Sequence, residues 1–229
     1  MDRVKILIND KSLSKIQSAK ILIVGVGGVG SNVAESLVRN GFKNITLVDA
    51  DKVDISNFNR HAIGFKKYLN WFKCHAMKAL LMEIYDDIDI TCITERFNFE
   101  NKELILRNDY DFVVDAIDKL SDKIELILQC LNKKLNIISA MGAGGKINPE
   151  NIKISDFGEA YGDRLLKRVK KNLKKHGIEE GFPVVYCIEE TRYIKVNNSK
   201  IIGSCAHIPG IFGHLISGYI FNYFVEQSL

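Results

Sequence analysis

Short apolar runs alternate along this chain with stretches whose apolar residues recur at helical spacing. Each run is rich in β-branched residues and has the length of a strand that is buried on both faces. The predicted strands are residues 21–24, 45–48, 88–93, 111–115 and 135–138. The predicted helices are residues 31–39, 72–85, 121–133, 161–176 and 208–225. This order predicts right-handed β-α-β units and an α/β fold with a Rossmann-like, doubly wound, mostly parallel sheet.

The second half of the chain adds a different pattern. Residues 146–156 and 184–205 are predicted to form further, antiparallel strands, so that the fold carries an antiparallel C-terminal extension. No Pro-, Gly- or Ser-rich linker interrupts the sequence, and no segment of it repeats. We therefore expect residues 1–229 to form a single domain.

Composition changes this picture little. Of the 229 residues, 46% are hydrophobic, and the net charge of +4 permits an anionic partner without requiring one. The five cysteines include no CxxC pair, which argues against a zinc site or a disulfide framework and favours a reducing, cytoplasmic compartment. The start lacks an apolar signal segment, and Pro209 and several glycines interrupt the apolar residues 208–225, so we expect no membrane span.

A glycine-rich loop follows the first predicted strand. Gly25, Gly27 and Gly30 satisfy G-x-G-x-x-G between a strand and a helix, where glycine lets the backbone approach a phosphate at the helix N-terminus. Asp49 ends the next predicted strand, at the place where a carboxylate meets ribose hydroxyls. These features indicate a nucleotide without specifying which one, and taken alone they favour a nicotinamide dehydrogenase.

The segment after the second predicted strand turns this interpretation towards ATP. Arg60 can offer a planar fork to phosphate oxygens, and Asn57 and Asn59 can add neutral donors. Lys73 brings a second cation near the start of the following predicted helix. Asp118 follows a further predicted strand, at the carboxyl edge where open α/β sheets bind ligands. A dehydrogenase needs no such set, whereas a triphosphate does.

In this combination the sequence resembles the ubiquitin-activating-enzyme-like adenylating superfamily, which includes ThiF and MoeB. The family pattern runs GxGGxGS, DxDxVxxSNxxRQ, a lysine at a helix start, and DxxD. Its counterparts here, in the same order, are Gly25–Ser31, Asp49–Arg60, Lys73 and Asp115–Asp118. Two positions depart from the pattern. His61 replaces a glutamine, and Asn70 replaces a glycine but can still adopt a left-handed conformation, so that neither change removes a charge.

The resemblance implies ATP and Mg²⁺ as cofactors, and it implies roles for individual residues. Arg60 and Lys73 would stabilise charge as pyrophosphate leaves, and Asp118 would hold Mg²⁺. Arg3 would reach into a partner subunit's site if the chain forms a homodimer. Asp51 could touch the nucleotide or cap a turn. The implied nucleotide-binding set is Gly25, Gly27, Gly28, Gly30, Asp49, Asp51, Asn57, Asn59 and Arg3.

The second half resembles one branch of this superfamily, the tRNA threonylcarbamoyladenosine dehydratases, also called TcdA or CsdL. The resemblance is carried by Met141–Pro149, Ile152–Asp156, Gly162–Gly177 and Val184–Glu189. ThiF and MoeB usually carry two zinc-binding CxxC pairs, which this chain lacks. The branch implies ATP-dependent cyclisation of threonylcarbamoyladenosine in tRNA through carboxylate adenylation. An ATP-binding half is then expected at about 1–145, and a substrate and dimer half at about 146–229.

The predicted helix 161–176 is strongly basic. Its apolar residues can face the core at helical spacing while most of its cations face solvent, where they could follow a tRNA backbone. The predicted tRNA-binding set is Arg164, Lys167, Arg168, Lys170, Lys171 and Lys174. Without the family resemblance, a merely solvated helix would be the favoured interpretation.

Three other functions stay open on the sequence alone. The first is adenylation of the C-terminus of a ubiquitin-like sulfur carrier, which implies a sulfur-transfer protein as partner. The others are a nucleotide-sensing module without turnover and an NAD-dependent dehydrogenase. Cys187 and Cys205 could form a thioester or accept a persulfide, although a small buried residue in a strand is the favoured interpretation of each.

Overall fold

The computed structural model describes residues 2–107, 109–197 and 199–227. The helices are α1 Asp2–Leu7, α2 Asp10–Ser18, α3 Gly28–Arg39, α4 Lys73–Met82, α5 Lys102–Ile105, α6 Leu120–Asn132, α7 Arg164–Leu173 and α8 His207–Glu226. The strands are β1 Lys20–Val24, β2 Asn44–Val48, β3 Asp89–Ile93, β4 Phe112–Asp115, β5 Ile137–Ala140, β6 Ile152–Asp156, β7 Pro183–Cys187, β8 Tyr193–Val196 and β9 Ser199–Ile202. Short 3₁₀ turns lie at Ile55–Asn57, Lys66–Tyr68, Pro149–Asn151 and Lys174–His176.

Seven strands form one sheet in the order β3-β2-β1-β4-β5-β7-β6. Neighbouring strands run parallel except β6, which pairs antiparallel with β7 at the edge. From β1 the chain adds β2 and β3 on one side, and it then returns to add β4 and β5 on the other. The order therefore reverses between β1 and β4, whose ends pair Val24 with Asp115. The loops that follow these two strands diverge at this switch point, where doubly wound sheets bind ligands.

The alternation of side chains along β1 divides the core into two layers. Ile21 and Ile23 face a cluster covered by α2, α3, α4 and α8, whereas Leu22 and Val24 face a second cluster covered by α6 and α7. All four side chains are at most 2% exposed. A strand that is buried on both faces needs an apolar residue at every position, which explains why this run shows no polar alternation.

The C-terminal helix α8 packs against α3 and α2 on one face of the sheet. Ile208, Phe212, Ile216 and Ile220 are fully buried in this contact. Within the described ranges, no helix combines the length and the apolar character that crossing a membrane requires.

The predicted fold class, the five parallel strands and an antiparallel extension are confirmed, with local differences. β7 pairs parallel with β5 because the chain crosses over through α7 before it re-enters the sheet. Residues 146–148 form no strand, so that only Ile152–Asp156 form the antiparallel edge strand. β8 and β9 form a separate antiparallel hairpin. The hydrophobic pattern does not predict α1 and α2, because both helices are short and mostly polar or exposed.

Candidate nucleotide-binding site

The glycine loop connects β1 to α3 at the switch point, and its glycines have different structural tasks. Gly25 has φ +96°, and a Cβ there would lie 2.6 Å from the carbonyl oxygen of Ala116. A Cβ on Gly30 would lie 1.8 Å from the carbonyl oxygen of Gly25. Gly27, the N-cap of α3, would place a Cβ in open space with nothing within 4 Å. Gly25 and Gly30 are thus needed for packing, whereas the space over Gly27 is available to a ligand at the helix N-terminus.

Asp49 follows β2 and faces the glycine loop. Its Oδ2 accepts a hydrogen bond from the amide of Val26 at 2.7 Å, and its Oδ1 accepts one from the amide of Asp51 at 2.8 Å. Lys73 Nζ lies 3.8 Å from Oδ1. Burial raises the pKa of the Asp49 carboxyl, while Lys73 and the two amides act in the opposite direction. The carboxylate is therefore tied to the loop through a backbone amide.

Lys73 is the first residue of α4 and is only 7% exposed. Its ammonium group lies 2.8 Å from Asp51 Oδ2, and this hydrogen bond lowers the pKa of the Asp51 carboxyl. Asn70, just before the helix, has φ +66°, which confirms the left-handed conformation predicted for this replacement of glycine. Asp51 thus orients Lys73 beside Asp49, and its side chain caps no turn in the described structure.

Arg60 reaches the glycine loop from the segment that follows β2. Its Cγ lies 3.3 Å from where a Cβ on Gly28 would be, so that the side chain packs directly on the loop. The guanidinium group donates hydrogen bonds to the carbonyl oxygen of Ser56 at 2.7 Å and to Asn59 Oδ1 at 3.0 Å. Since guanidinium has five N–H groups, donors remain for phosphate oxygens. Two cations, Arg60 and Lys73, are thus brought to one site.

Asn57 and Asn59 make contacts that the sequence does not reveal. Asn57 Oδ1 accepts a hydrogen bond from the amide of Asp54 at 3.2 Å and completes a capping box over a 3₁₀ turn. The side-chain amide of Asn59 donates to the carbonyl oxygen of Ser204, just before α8, at 2.8 Å. Both side chains therefore fix the segment that carries Arg60.

His61 follows Arg60 and is 8% exposed, and its Nδ1 is buried with no hydrogen-bond partner in the described part of the chain. Burial lowers the pKa of this imidazole to about 3, and the charges of Lys73 and Arg60 act in the same direction. The side chain is therefore neutral at neutral pH, as is the glutamine that occupies this position in the family pattern.

Asp115 and Asp118 have different surroundings. Asp115 ends β4 and is fully buried, whereas Asp118 is exposed in the turn before α6. Among residues 2–107, 109–197 and 199–227, no group of three or more His, Cys, Asp or Glu side chains could hold a metal ion by itself. A metal ion at Asp118 would therefore also need oxygen ligands from water or from a bound nucleotide.

Arg3 lies in α1 and is exposed. It takes part in no described hydrogen bond or ion pair within its own chain. The same short helix leaves Ile6 78% and Leu7 79% exposed. Two adjoining large apolar side chains are thus exposed on the helix that carries Arg3.

Most cations of α7 and the turn after it project into solvent, as predicted. The buried face of α7 consists of Leu166, Val169 and Leu173. The exposed cations without an ion pair in the described ranges are Arg164, Lys167, Arg168 and Lys171, together with Lys175 in the turn. Lys170 is half-buried, because its ammonium donates to the carbonyl oxygen of Gly158 at 2.8 Å and lies 5.5 Å from the ring centre of Phe157. Lys174 is paired with Glu179 at 3.4 Å.

Glu189 has a structural task that only the fold reveals. Its Oε2 accepts hydrogen bonds from the amides of Ile147 and Asn148, both at 2.8 Å. Its Oε1 lies 3.2 Å from the Arg192 guanidinium. The two amides hold the pKa of the Glu189 carboxyl below its usual value. The carboxylate therefore fixes the turn that follows β5. In the sequence, the match of Glu189 to a family position was the one sign that this residue has a task.

A buried lysine links this turn to the basic helix. Lys146 is 2% exposed, and its ammonium contacts the carbonyl oxygens of Cys187, at 3.3 Å, and of Glu189. It also lies 3.6 Å from Oδ2 of Asp163, whose Oδ1 accepts from the amide of Leu166 and so caps α7. The position of α7 is thus set by the turn that follows β5, at the carboxyl edge of the sheet.

The two cysteines named above differ in their surroundings. Cys187 is buried in β7, which confirms it as a core residue, and burial raises the pKa of its thiol. Cys205 lies outside the strands, so the strand interpretation of this residue is wrong. Its Sγ is 3.7 Å from His207 Nε2, which also contacts the carbonyl oxygen of Ile147 at 2.8 Å. That contact requires a hydrogen on Nε2, so this nitrogen is not free to take a proton from the thiol.

Known proteins are similar to this chain in sequence. Residues 2–225 match the ThiF family. The chain is 30% identical over 232 residues to the tRNA threonylcarbamoyladenosine dehydratase of Bacillus subtilis, an alignment that covers 95% of this chain and 91% of that protein. With the protein of the same name from Haemophilus influenzae, identity is 34% over 169 residues, which are 74% of this chain and 65% of the relative.

Solved structures give the same result. Escherichia coli tRNA N6-threonylcarbamoyladenosine dehydratase, TcdA, in complex with ATP aligns with a TM-score of 0.92 and 26% identity, covering 99% of this chain and 94% of that one. A structure of TcdA (CsdL) aligns with a TM-score of 0.93 and 26% identity, covering 100% and 94%. The chain therefore belongs to the ThiF family, in its branch of tRNA threonylcarbamoyladenosine dehydratases.

Proposed function

We propose that this protein uses ATP to adenylate the carboxylate of threonylcarbamoyladenosine in tRNA, which it converts to the cyclic form with loss of water. The observation that carries the proposal is the meeting of Arg60 and Lys73 at the glycine loop, at the switch point of a fold shared with these dehydratases. Two solved TcdA structures that this chain resembles over nearly its whole length are complexes with AMP and ATP.

The phosphates would lie over Gly27, at the N-terminus of α3. Arg60 has free N–H donors beside this space, and Lys73 would exchange Asp51 for a phosphate oxygen. That exchange is favourable because Asp51 is exposed, so that its carboxylate regains water when the lysine moves to a more highly charged group. Asp49 would receive the ribose hydroxyls on the edge of its carboxylate that faces the loop.

Mg²⁺ fits the donor set at Asp118. This ion is usually held by one or two carboxylates together with phosphate oxygens and water, and Asp118 offers one exposed carboxylate at the switch point. When bound, the ion would screen the charge of the triphosphate. Asp118 is therefore proposed as the protein ligand.

The chemistry follows from the charges. A carboxylate is a poor electrophile and must be activated before a nucleophile can attack its carbon. One of its oxygens therefore attacks the α-phosphorus of ATP, and pyrophosphate leaves. Arg60 and Lys73 stabilise the negative charge that passes to the pyrophosphate. The ureido nitrogen of the same substituent then attacks the activated carbonyl, closes a five-membered ring, loses its proton and displaces AMP. Because this step is intramolecular, proximity provides most of its acceleration and no protein nucleophile is needed.

The reaction itself is the first test. The protein is incubated with ATP, Mg²⁺ and tRNA that contains threonylcarbamoyladenosine, and the nucleosides are analysed by mass spectrometry. We expect a product lighter by one water molecule, together with AMP and pyrophosphate. The Lys73→Ala and Asp118→Ala variants should form much less of it. Pyrophosphate exchange that requires a protein ending in Gly-Gly, and not tRNA, would instead identify a sulfur-carrier enzyme.

The basic helix α7 is proposed to bind the tRNA backbone. Within the predicted set, Arg164, Lys167, Arg168 and Lys171 are best placed for phosphates, because they are exposed and unpaired among the described residues. Lys170 contributes less, since its ammonium is occupied by Gly158.

A matched pair of variants tests this surface. The Lys171→Gln variant should lower tRNA affinity and reduce the slope of log affinity against log salt concentration by about one. The neighbouring Lys170→Gln variant should change the slope by much less. Equal slopes for both variants and the wild type would exclude this face as the tRNA site.

We also propose that residues 1–229 act as one domain and that two copies form a homodimer in which Arg3 enters the partner's site. Its exposure and that of Ile6 and Leu7 support this arrangement. Arg3→Ala and Lys73→Ala proteins should each be inactive alone but regain activity when mixed, because a mixed dimer contains one intact site. Mixtures that stay inactive, despite subunit exchange, would contradict it.

A further inference from the structure

Lys123 of α6 carries a fully buried ammonium group beneath the switch point. The side chains of Lys123 and Asp115 are both 0% exposed, and Lys123 Nζ lies 2.6 Å from Asp115 Oδ2. The ammonium also donates to the carbonyl oxygen of Ala140 at 2.9 Å and lies 3.4 Å from Ser139 Oγ. Replacing a buried ion pair by apolar side chains is commonly neutral or stabilising. Stability alone therefore does not explain this cluster.

The cluster joins the ends of two neighbouring strands. Asp115 is the last residue of β4, and Ala140 is the last residue of β5. Beyond these residues the two strands no longer pair, and their loops diverge. Lys123 spans this point, since one ammonium group binds the side chain at the first strand end and the carbonyl oxygen at the second.

Asp115 passes this constraint on to the turn that carries Asp118. Its Oδ1 accepts a hydrogen bond from the amide of Ile117 at 3.1 Å. The amide of Ala116, between them, donates to the carbonyl oxygen of Val24 at 2.9 Å. The carbonyl group of Ala116 packs so closely on the glycine loop that only glycine fits at position 25. The turn is therefore held by Asp115, which is fixed by its ion pair with Lys123, and by the hydrogen bond from Ala116 to β1.

We propose that Lys123 is a positioning residue for the nucleotide. Through Asp115 it holds the turn 115–118 against the glycine loop, so that Asp118 is in place before ATP and Mg²⁺ arrive. The physical reason is preorganisation: a ligand group fixed by supporting contacts loses little freedom on binding. This inference rests on the proposed ATP-dependent function.

Two variants separate positioning from stability. Lys123→Met leaves a buried carboxylate without its partner and should lower the unfolding temperature strongly. In Lys123→Met/Asp115→Asn no unpaired charge remains, and the asparagine keeps an oxygen for the Ile117 amide, so much of the stability should return. A loss of affinity that persists in the double variant reports the missing bridge to Ala140.

Dissociation constants for ATP are measured by calorimetry, without tRNA, in Mg²⁺ and in EDTA. For the double variant we expect the constant in Mg²⁺ to rise about tenfold, and the constant in EDTA to change less than threefold. The control is Lys102→Met, which breaks the pair of Lys102 with Glu125 on the same helix α6, where Nζ and Oε1 are 2.7 Å apart. It should lower the unfolding temperature without changing either constant.

Two results would overturn the inference. The first is a double variant that regains stability and binds ATP in Mg²⁺ like the wild type. The second applies if neither variant folds, and it comes from hydrogen exchange of the wild type before ATP is added. Amides of Ala116 and Ile117 that exchange as fast as those in exposed loops would refute the inference, and protected amides would support it. Wild-type protein that binds no ATP would instead refute the proposed function.

Discussion

A single methyl group on the glycine loop tests where the phosphates lie. Gly27 has φ −87° and ψ −154°, and an added Cβ would meet nothing within 4 Å. At Gly30 the same addition would place Cβ 1.8 Å from a backbone oxygen. Gly27→Ala therefore occupies the space in front of α3 without disturbing the protein, whereas Gly30→Ala disturbs the protein without entering that space.

The expected magnitudes differ accordingly. For Gly27→Ala, the weaker N-cap and the lower entropy of the unfolded chain nearly cancel, so the free energy of unfolding should change by less than about 1 kcal/mol. For Gly30→Ala, overpacking against a backbone atom outweighs the gain in helix propensity, so the free energy of unfolding should fall by about 2 kcal/mol. In a chain of this size these values correspond to shifts in Tm of less than about 4 °C and about 4–8 °C.

The affinity for ATP should rank the two variants differently from their stability. A methyl group over Gly27 keeps phosphate oxygens from the N–H groups of α3, and the loss of one charge-assisted hydrogen bond weakens binding by about 1.5–3 kcal/mol, or at least about tenfold. Thermal unfolding and calorimetric titration with ATP measure the two quantities on each variant. Gly27→Ala protein that binds ATP as tightly as the wild type would refute the placement of the phosphates.

Three further substitutions have defined outcomes. Lys73→Met should reduce pyrophosphate exchange about 10²-fold, because one stabilising cation is lost, whereas the exposed Lys52→Met should leave it unchanged. His61 stays neutral in the folded protein down to pH about 3 but is protonated below about 6.5 when unfolded, so folding loses stability as the pH falls below 6.5. The stability of His61→Gln relative to the wild type should therefore rise by about 2 kcal/mol between pH 7 and pH 5 in urea titrations, and a constant difference would contradict the neutral imidazole. Glu189→Gln should lower Tm at pH 7, and this deficit should shrink as the pH falls below 4.5, because the lowered pKa makes the wild-type contribution present above that value and lost below it.

The sequence by itself determined the fold class, and it predicts where the nucleotide binds. Runs such as Ile21–Val24 are short, β-branched and apolar at every position, as a strand buried on both faces requires, and the alternation with helices then leaves few topologies. The glycine spacing and the order of Asp49, Arg60 and Lys73 are local patterns, so they can be recognised without any knowledge of long-range contacts. The left-handed backbone at Asn70 was predictable for the same reason.

Only the tertiary structure decided what each of these residues touches. It separates Gly27, which borders open space, from Gly30, and it shows Lys73 held by Asp51. It alone brings Lys123 to two strand ends, a contact that no periodicity encodes. The physical reason is that such contacts join segments far apart in the chain. Their partners depend on how the crossovers place each strand, and on burial that makes an unpaired charge too costly to leave alone.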